Sequence, residues 1–300
     1  MRQLFLLVMI TLLMPSCSLR KLAIREVVLA MEESRQSFEG ESDLRLAESA
    51  LSGNLKLLEA LLMQDPDNER LRLFLAQGYA GYALAFVEDL AEEQEFRGEE
   101  GKSERERARK FYRRARQFLE TTLEKRLGKL EEMPLEELRL ALTKTKAQDV
   151  PYLFWYAFSW GSEINLSRDD LRNLMQLPKV ELLMARVKEL EESYFYGGAY
   201  LFEGIYYGSR GETLGGDLER SQRAFQKALQ YARGKFLMTQ YYYAATYCVF
   251  AQEKGCFEDN LKNILEAPED LFPPQGLANA LARKKAQRLW EKRKELFLEN

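Results

Sequence analysis

Helical periodicity runs through almost the whole chain from Leu19 onward, and it limits the fold more than any other feature. In a representative stretch, apolar side chains and one glycine recur every three or four residues, at Leu71, Leu75, Gly78, Tyr79, Tyr82 and Phe86. That spacing places them on one face of an α-helix. Alternation of apolar and polar residues, which would indicate strands, is nearly absent. The sequence therefore predicts an all-α protein.

Prolines and glycines divide this pattern into separate helices. The chain has eight prolines, mostly between periodic segments, where they act as breakers. Gly53 separates a predicted helix over residues 44–53 from another over 55–64, and a long helix is predicted over 69–95. The run Tyr152–Gly161 is apolar nearly all round, which is typical of a helix buried on every side.

Two short patterns recur on successive helices. One places a small residue three positions before a tyrosine, in Leu75-Ala76-x-x-Tyr79 and Tyr243-Ala244-x-x-Tyr247. The other is Ala108-x-x-x-Tyr112-x-x-Ala115, which recurs as Ser221-x-x-x-Phe225-x-x-Ala228. They are the two halves of a degenerate tetratricopeptide-type repeat, whose small residues let paired helices approach closely. The sequence thus predicts stacked antiparallel helix pairs in a solenoid with a concave binding face.

Residues 1–16 have the layout of a signal peptide. A positive charge opens the segment, an apolar run extends from Leu4 to Met14, and Pro15-Ser16 precede Cys17. This resembles a bacterial lipobox, in which cleavage before the cysteine leaves an N-terminus carrying acyl chains such as palmitate. We expect lipidation at Cys17 and one helical-repeat domain over residues 17–300, tethered to a membrane in the periplasm. The alternative is an ordinary signal peptide followed by a chance cysteine.

Composition excludes several kinds of active site. The chain contains no histidine, which is the usual general base near neutral pH and the commonest metal ligand. Histidine-dependent triads and histidine-containing zinc sites are therefore impossible, and we assign no catalytic residue, metal ligand or cofactor. Charged residues make up 30% of the chain but nearly cancel, leaving a net charge of −3. That balance disfavours nucleic acid as a partner, since binding it requires a concentrated positive field.

Two cysteines, Cys248 and Cys256, remain once Cys17 is assigned to the lipid. In an oxidising compartment they can form a disulfide that closes a short loop. The alternative is a pair of buried free thiols. The position of Cys248 in mid-helix favours free thiols, because the geometry of a disulfide is hard to satisfy there.

Aromatic residues are concentrated over residues 152–160, 194–207 and 241–250. One interpretation is the core of the repeats, where large rings pack against small residues. The other is an apolar groove, to which rigid rings offer apolar surface and a polar tip. Any single ring is better explained by the core, and the clusters together by a groove. The residues predicted to line this groove are Tyr200, Tyr207, Tyr241, Trp155 and Trp160.

The segment Gly215, Gly216 and Asp217 precedes a predicted helix over residues 218–231. Aspartate in this place caps the N-terminus of a helix, and glycines permit a tight turn before it. We expect a structural turn. The alternative is an anion held by backbone amides at the start of the helix.

The order of these segments resembles the TatT-type lipoprotein T-components associated with TRAP transporters. The resemblance covers nearly all of the mature chain and rests on Cys17, Ala76-Gln77-Gly78-Tyr79, Pro151-Tyr152-Leu153-Phe154-Trp155-Tyr156, Gly197-Gly198-Ala199-Tyr200 and, most specifically, Leu214-Gly215-Gly216-Asp217 before Ala224-Phe225-x-x-Ala228. It implies an all-helical fold of tetratricopeptide-like repeats and a homotrimer. It also implies a periplasmic solute-binding P-component as partner and a cavity or channel for a hydrophobic small molecule.

Three classes of function stay open at this point. The expected one is a non-enzymatic, lipid-anchored adaptor of a TRAP-type transporter that binds the P-component and holds or passes a hydrophobic ligand. The alternative is an envelope-assembly scaffold lipoprotein with a protein-binding repeat groove. The third is a glycan hydrolase, which would need two carboxylates in a cleft, and no such pair stands out in the sequence.

Overall fold

The computed structural model describes residues 16–297, with side chains from residue 19 onward. Residues 1–15 of the expected signal peptide and the sulfur of Cys17 lie outside the described part. Within residues 16–297 every regular element is a helix, which confirms the predicted all-α class. None of these described helices combines the length and the apolarity that a membrane span requires.

The helices of the described range follow one another in a simple order. They are α1 (Ser16–Glu33), α2 (Arg35–Glu39), α3 (Leu44–Gln64), α4 (Glu69–Tyr82), α5 (Asp89–Phe96), α6 (Lys102–Leu127), α7 (Leu135–Leu142), α8 (Val150–Asn165), α9 (Leu171–Leu174), α10 (Leu177–Leu190), α11 (Tyr194–Gly208), α12 (Leu218–Ala232), α13 (Leu237–Tyr243), α14 (Lys254–Glu266) and α15 (Gly276–Glu291). Two of them continue directly into π-helical turns, Ala83–Glu88 after α4 and Ala244–Cys248 after α13.

A single helix, α3, replaces the two helices predicted on either side of Gly53. Its buried side chains are spread along its whole length, at Ala47, Leu55, Leu58 and Leu62. Burying these side chains outweighs the cost of about 1 kcal/mol that a glycine adds in mid-helix. The prediction of a break at Gly53 was therefore wrong.

Small residues of the repeat motifs are buried where the helices pack. They are Ala76, Ala108, Ala115, Ser221, Ala228 and Ala244. The stack begins with α3 on α4, α4 on α6 and α6 on α8, and it continues with α8 on α10, α10 on α11 and α11 on α12. This is the predicted arrangement of stacked helices, in which each helix contacts its neighbours in the stack.

The last helix closes the stack into a ring. Helix α15 packs against α13 and α14, and also against α2, α3 and α5 from the other end of the chain. The backbones at Gly40 and Gly276 approach so closely that a Cβ on Gly276 would lie 2.2 Å from the carbonyl oxygen of Gly40. Beside them, the side-chain amide of Gln275 donates to Glu39 at 2.9 Å, across 236 positions of sequence.

A buried ion network holds α15 against α5. Lys284 Nζ lies 2.7 Å from Asp89 Oδ2, and Arg288 pairs with the other oxygen of Asp89. Lys285 pairs with Glu92. The side chains of Lys285 and Asp89 are only 1% and 2% exposed. Loss of one partner would leave the opposite charge buried without compensation.

The pKa values of this network show that its charges are retained. Burial opposes the negative charge of Asp89, but hydrogen bonds from Arg288 and Lys284 and the charge of Lys285 hold its pKa below the usual value. Burial likewise opposes the positive charge of Lys285, but the acidic groups around it, Glu92 first and then Tyr241, Tyr242 and Glu88, together raise the pKa of Lys285.

Cys248 and Cys256 form a disulfide, with their Cα atoms 5.6 Å apart. The preference for free thiols was wrong because the helical run that contains Cys248 ends only two residues later, at Phe250. The chain then turns back at Gln252, whose φ is 57°, and α14 begins at Lys254. This reversal brings Cys256 beside Cys248.

Replacing Lys285 by methionine tests the ion network. We expect Lys285→Met to lower the free energy of unfolding by about 3–5 kcal/mol, because Asp89 and Glu92 lose a buried counter-charge. Urea unfolding of both proteins at neutral pH measures the difference.

The neighbouring Lys284 supplies a matched control. It also pairs with Asp89, but its side chain is 41% exposed, so Lys284→Met is expected to cost no more than about 1 kcal/mol. Equal losses in the two variants would contradict the special role of Lys285.

Candidate ligand-binding site

The ring of helices surrounds a cavity of about 850 Å³. Its wall includes helices from both ends of the chain, from Met31 in α1 to Leu281 in α15. Most of the wall is apolar, and its rings include Phe74, Phe154, Trp155, Phe158, Phe195 and Phe236. Small-molecule sites typically measure roughly 300–1,000 Å³ and have apolar walls with a few polar groups. The size and lining of this cavity suit a hydrophobic ligand.

An aromatic cluster forms the wall beside α8. The ring of Phe195 packs edge-on against Trp155, with centroids 5.0 Å apart, and against Phe236 at 5.8 Å. Phe154 lies 5.5 Å from Phe195 and 6.4 Å from Phe158. Contacts of this kind add to the stabilisation that burial provides, so this part of the wall is preformed.

Phe195 reaches the cluster through an unusual backbone conformation. Phe195, Tyr196 and Gly197 have φ values of 47°, 59° and 77°, in the left-handed region that residues other than glycine rarely adopt. Such residues cost about 1–3 kcal/mol each and persist where the surrounding structure fixes them. Here the rings fix them, since Tyr196 also packs against Phe272 at 5.1 Å.

Glu88 places a carboxyl group on the inner wall, at the end of the first π-helical turn. The hydroxyl of Tyr112 donates a hydrogen bond to it. Burial raises the pKa of Glu88 to about 7, although the charge of Lys285 and the bond from Tyr112 lower it. Tyr242, which directly precedes the last residue of α13, also lines the cavity. Because π-helical turns are frequent at functional sites, this polar spot is a candidate ligand contact.

A second carboxyl of the wall, Glu39, lies where the ring closes, and its side chain is 36% exposed. Its nearest cation is Arg35, whose Nε lies 3.9 Å from Glu39 Oε1. Burial raises the pKa of Glu39, against the opposing effects of Arg35 and of the hydrogen bond from Gln275. Both carboxyls of the wall thus favour the neutral form more than an exposed glutamate does.

Two arginines, Arg168 and Arg210, line the cavity near Leu214. Arg168 Nε donates to Asn165 Oδ1 at 2.9 Å, and the guanidinium of Arg210 lies 3.8 Å from the ring centroid of Tyr206. Leu214 is 74% exposed. We call these three residues, Arg168, Arg210 and Leu214, the rim, because here the cavity wall meets solvent.

Trp155 and Trp160, both predicted to line the site, lie in different places. Trp155 belongs to the cavity wall. The ring of Trp160 instead lies under the guanidinium of Arg116, 5.2 Å from it, and packs edge-on against Tyr156. Trp160 therefore belongs to the packing between helices on the other side of α8.

The three predicted tyrosines contact groups beside the wall. The hydroxyl of Tyr200 donates to Glu192 at 3.0 Å, and that of Tyr207 donates to Glu181. The Tyr241 ring lies 5.8 Å from Lys285 Nζ. The structure does not bring these three hydroxyl groups together.

Their sequence neighbours Leu201, Tyr206 and Tyr242 line the cavity. One step along an α-helix rotates a side chain by about 100°, so an error of one position turns a ring from the wall toward an adjoining helix. All five predicted residues thus lie on helices that build the cavity wall, and Trp155 is the one of the five whose side chain lines it.

Glu88, Arg168 and Arg210 were not identified from the sequence. For Glu88 a signal existed, because it shares the spacing of Gly81, Leu84 and Ala85 on one helical face. A single acidic residue on a helical face that otherwise carries small and apolar residues is a candidate for the wall of a cavity. The two arginines lie in connecting segments, where no periodicity applies.

The segment Gly215–Asp217 forms a turn that begins α12. The Asp217 side chain accepts a hydrogen bond from the amide of Arg220 at 2.8 Å, and its own amide donates to the carbonyl oxygen of Tyr207 at 3.1 Å. A Cβ on Gly216 would lie 1.9 Å from the carbonyl oxygen of Arg210. The turn thus packs directly against the segment that carries Arg210 and helps to position it.

The cavity offers three kinds of contact to a molecule inside it. The wall supplies apolar surface, its two carboxyls accept hydrogen bonds, and the rim supplies positive charge. Within residues 16–297, no three side chains of histidine, cysteine, aspartate or glutamate are grouped so that they could hold a metal ion.

Comparison with known proteins shows one family. A family model described as TRAP transporter T-component matches residues 40–297. An uncharacterised protein of Treponema pallidum (strain Nichols) is 26% identical over 310 aligned positions, which cover 96% of this chain and 95% of that protein. The range matched by the family model includes Glu88 and both rim arginines.

Replacing Glu88 by glutamine is expected to change how stability depends on pH. The folded pKa of about 7 lies above the ordinary value of 4.5, so the folded protein binds this proton more tightly than the unfolded chain. The wild type therefore loses stability as pH rises between these values. From about pH 5 to about pH 8, Glu88→Gln should gain on the order of 1–3 kcal/mol relative to the wild type.

Urea unfolding at a series of pH values measures this gain. Glu219→Gln serves as control, because the Glu219 side chain is 79% exposed and its replacement should leave the pH profile unchanged. A constant difference between Glu88→Gln and the wild type across this range would show that Glu88 is not held in an apolar environment.

Proposed function

This chain belongs to the TRAP transporter T-component family, and we propose that it is a lipid-anchored, non-enzymatic adaptor that holds a hydrophobic ligand inside its ring of helices. An accessory role in a TRAP transporter follows from the family. The observation that carries the finer proposal is the apolar cavity of about 850 Å³. Its wall is built by helices from both ends of the chain, so the complete ring is needed to form it.

The nature of the wall supports an apolar ligand. When an apolar ligand covers the rings and aliphatic side chains of the wall, the free energy of binding improves by about 25 cal/mol for each Å² of apolar surface removed from water. Gly81 adds open space, since a Cβ built on it meets no atom within 4 Å. The few polar groups are spaced around the wall, which is how binding sites orient a mostly apolar molecule.

The proposed partner is the periplasmic solute-binding P-component of the same transporter, and the proposed assembly is a homotrimer. Both rest on membership of the family. Lipidation of Cys17 would tether the N-terminal end of α1 to the membrane, leaving the ring in the periplasm. Two or more acyl chains are needed for durable anchoring of this kind.

Filling the cavity tests the ligand proposal. Gly81→Leu places a side chain in the open space of the wall, and we expect binding of the fluorescent apolar probe N-phenyl-1-naphthylamine to weaken at least about tenfold, or 1.4 kcal/mol. Fold stability should stay the same or rise by up to about 1 kcal/mol, because a mid-helix glycine is removed. Probe fluorescence and urea unfolding measure the two effects.

Gly53→Leu is the matched control. Gly53 is also in mid-helix with no atom within 4 Å of an added Cβ, but it is exposed and lies outside the cavity wall. The probe should bind this variant as it binds the wild type. Unchanged binding to Gly81→Leu would show that the probe does not occupy the cavity.

Light scattering of the soluble mature chain tests the assembly. We expect a mass three times that of one chain, and a further increase when the solute-binding protein of the same transporter is added at concentrations above micromolar. A monomer whose mass does not change with that protein would contradict both the trimer and the partner.

A further inference from the structure

Arg168 and Arg210 are cations without a carboxylate partner at the rim. Among the described residues, neither guanidinium has a carboxylate oxygen within 4 Å. Arg168 binds the Asn165 side chain, and Arg210 lies over Tyr206. Nearby Asp170 is used as the N-cap of α9 and pairs with Arg172. Positive charge at this place is therefore left uncompensated.

The two rim cations also repel one another. Burial lowers the pKa of Arg168, and the charges of Arg210 and Arg105 lower it further. Arg105 itself is paired with Glu95. An anion between Arg168 and Arg210 would relieve this repulsion and accept hydrogen bonds from both planar guanidinium groups.

The interior of the cavity is unsuited to an anion. The other cation on the wall, Arg35, already has Glu39 beside it. Glu39 and Glu88 are the carboxyls that line the wall, and burial raises the pKa of each. A negative group placed beside either carboxyl would be desolvated, and it would be repelled unless that carboxyl were protonated. The electrostatic preference for an anion is thus confined to the rim.

Exposed apolar side chains lie in the rim itself and shortly after Arg168 in sequence. Leu214 is 74% exposed, Leu171 is 74% exposed and Met175 is 76% exposed. Leu174, between the latter two in sequence, lines the cavity. Exposed apolar side chains are therefore present both at the cavity wall, at Leu214, and in α9, which also supplies Leu174 to the wall.

We propose that the ligand is an amphiphile with one anionic headgroup, which lies between Arg168 and Arg210 while its apolar body extends into the cavity. This inference rests on the proposed function, since it presumes that the cavity holds a ligand. It adds the class of that ligand, its orientation and the two residues that select it.

Three probes with the same alkyl chain separate charge from apolar contact: laurate, lauryl alcohol and laurylamine. Each is titrated into the protein to displace N-phenyl-1-naphthylamine from the cavity. We expect laurate to displace it at a concentration about tenfold lower than the alcohol, because hydrogen bonds to a charged group at a partly solvated site contribute this much. The amine should be the weakest. Lauryl phosphate shows whether the anion can also be a phosphate.

Arg168→Gln/Arg210→Gln is the decisive variant. It should bind laurate and the alcohol about equally, while its affinity for the alcohol stays within about twofold of wild type. Arg168→Lys/Arg210→Lys should keep part of the preference, since charge is retained but the planar fork is lost. The matched control is Arg172→Gln/Arg223→Gln, which removes the same charge at two exposed arginines outside the wall and should keep the full preference.

Each outcome separates this inference from the proposed function. Equal binding of laurate and alcohol by the wild type, or an unchanged preference in Arg168→Gln/Arg210→Gln, would overturn the inference and leave an apolar ligand in place. An equal loss of both probes in that variant would also overturn it, because the arginines would then act on the shape of the wall. Failure of the fluorescent probe and all alkyl compounds to bind the wild type would overturn both.

Discussion

Closure of the ring depends on charges that are buried together between α5 and α15. Asp89 and Lys285 are almost wholly shielded from water, where an isolated charge would cost several kcal/mol. They are tolerated because each faces the other and because Arg288 and Glu92 complete the network. Loss of one member would leave an opposite charge buried without compensation. The ion network is therefore compatible with α15 in the position where these charges meet.

Closure changes what the concave face of the repeats can do. In an open solenoid this face is a groove in contact with water. Here the Gly40–Gly276 contact and the Gln275–Glu39 hydrogen bond join the ends, and the groove becomes a cavity. Wall atoms that face empty space lose the packing that protein interiors otherwise provide. Larger side chains, beginning at Gly81, would restore these contacts, so the open cavity supports the proposed ligand.

The all-α class and the stacking of helices were predictable because both depend on local spacing: apolar residues recur every three or four positions, and small residues recur in the repeat motifs. Ala76 and Ala108 mark contacts between helices that any reader of the sequence can locate. The faces of the site were harder, since Tyr241 and Tyr242 differ by one position and have different neighbours. The left-handed turn at Phe195 and the closure of the ring could not be predicted from the sequence. They are fixed by contacts with residues far away in sequence, for which local pattern contains no signal.

The placement of charged and ionisable groups along the cavity determines which end of the proposed ligand lies at the rim. Two carboxyls whose pKa values burial raises, Glu39 and Glu88, line the wall, and arginines without a carboxylate partner lie at the rim. An anionic amphiphile would enter with its apolar body first and leave its headgroup beside Leu214, at the surface. A partner that receives the ligand there would meet the charged end before the apolar end, and it would need its own cation to compete with Arg168 and Arg210. Because that competition is electrostatic, transfer at this rim should become easier as salt screens the two arginines.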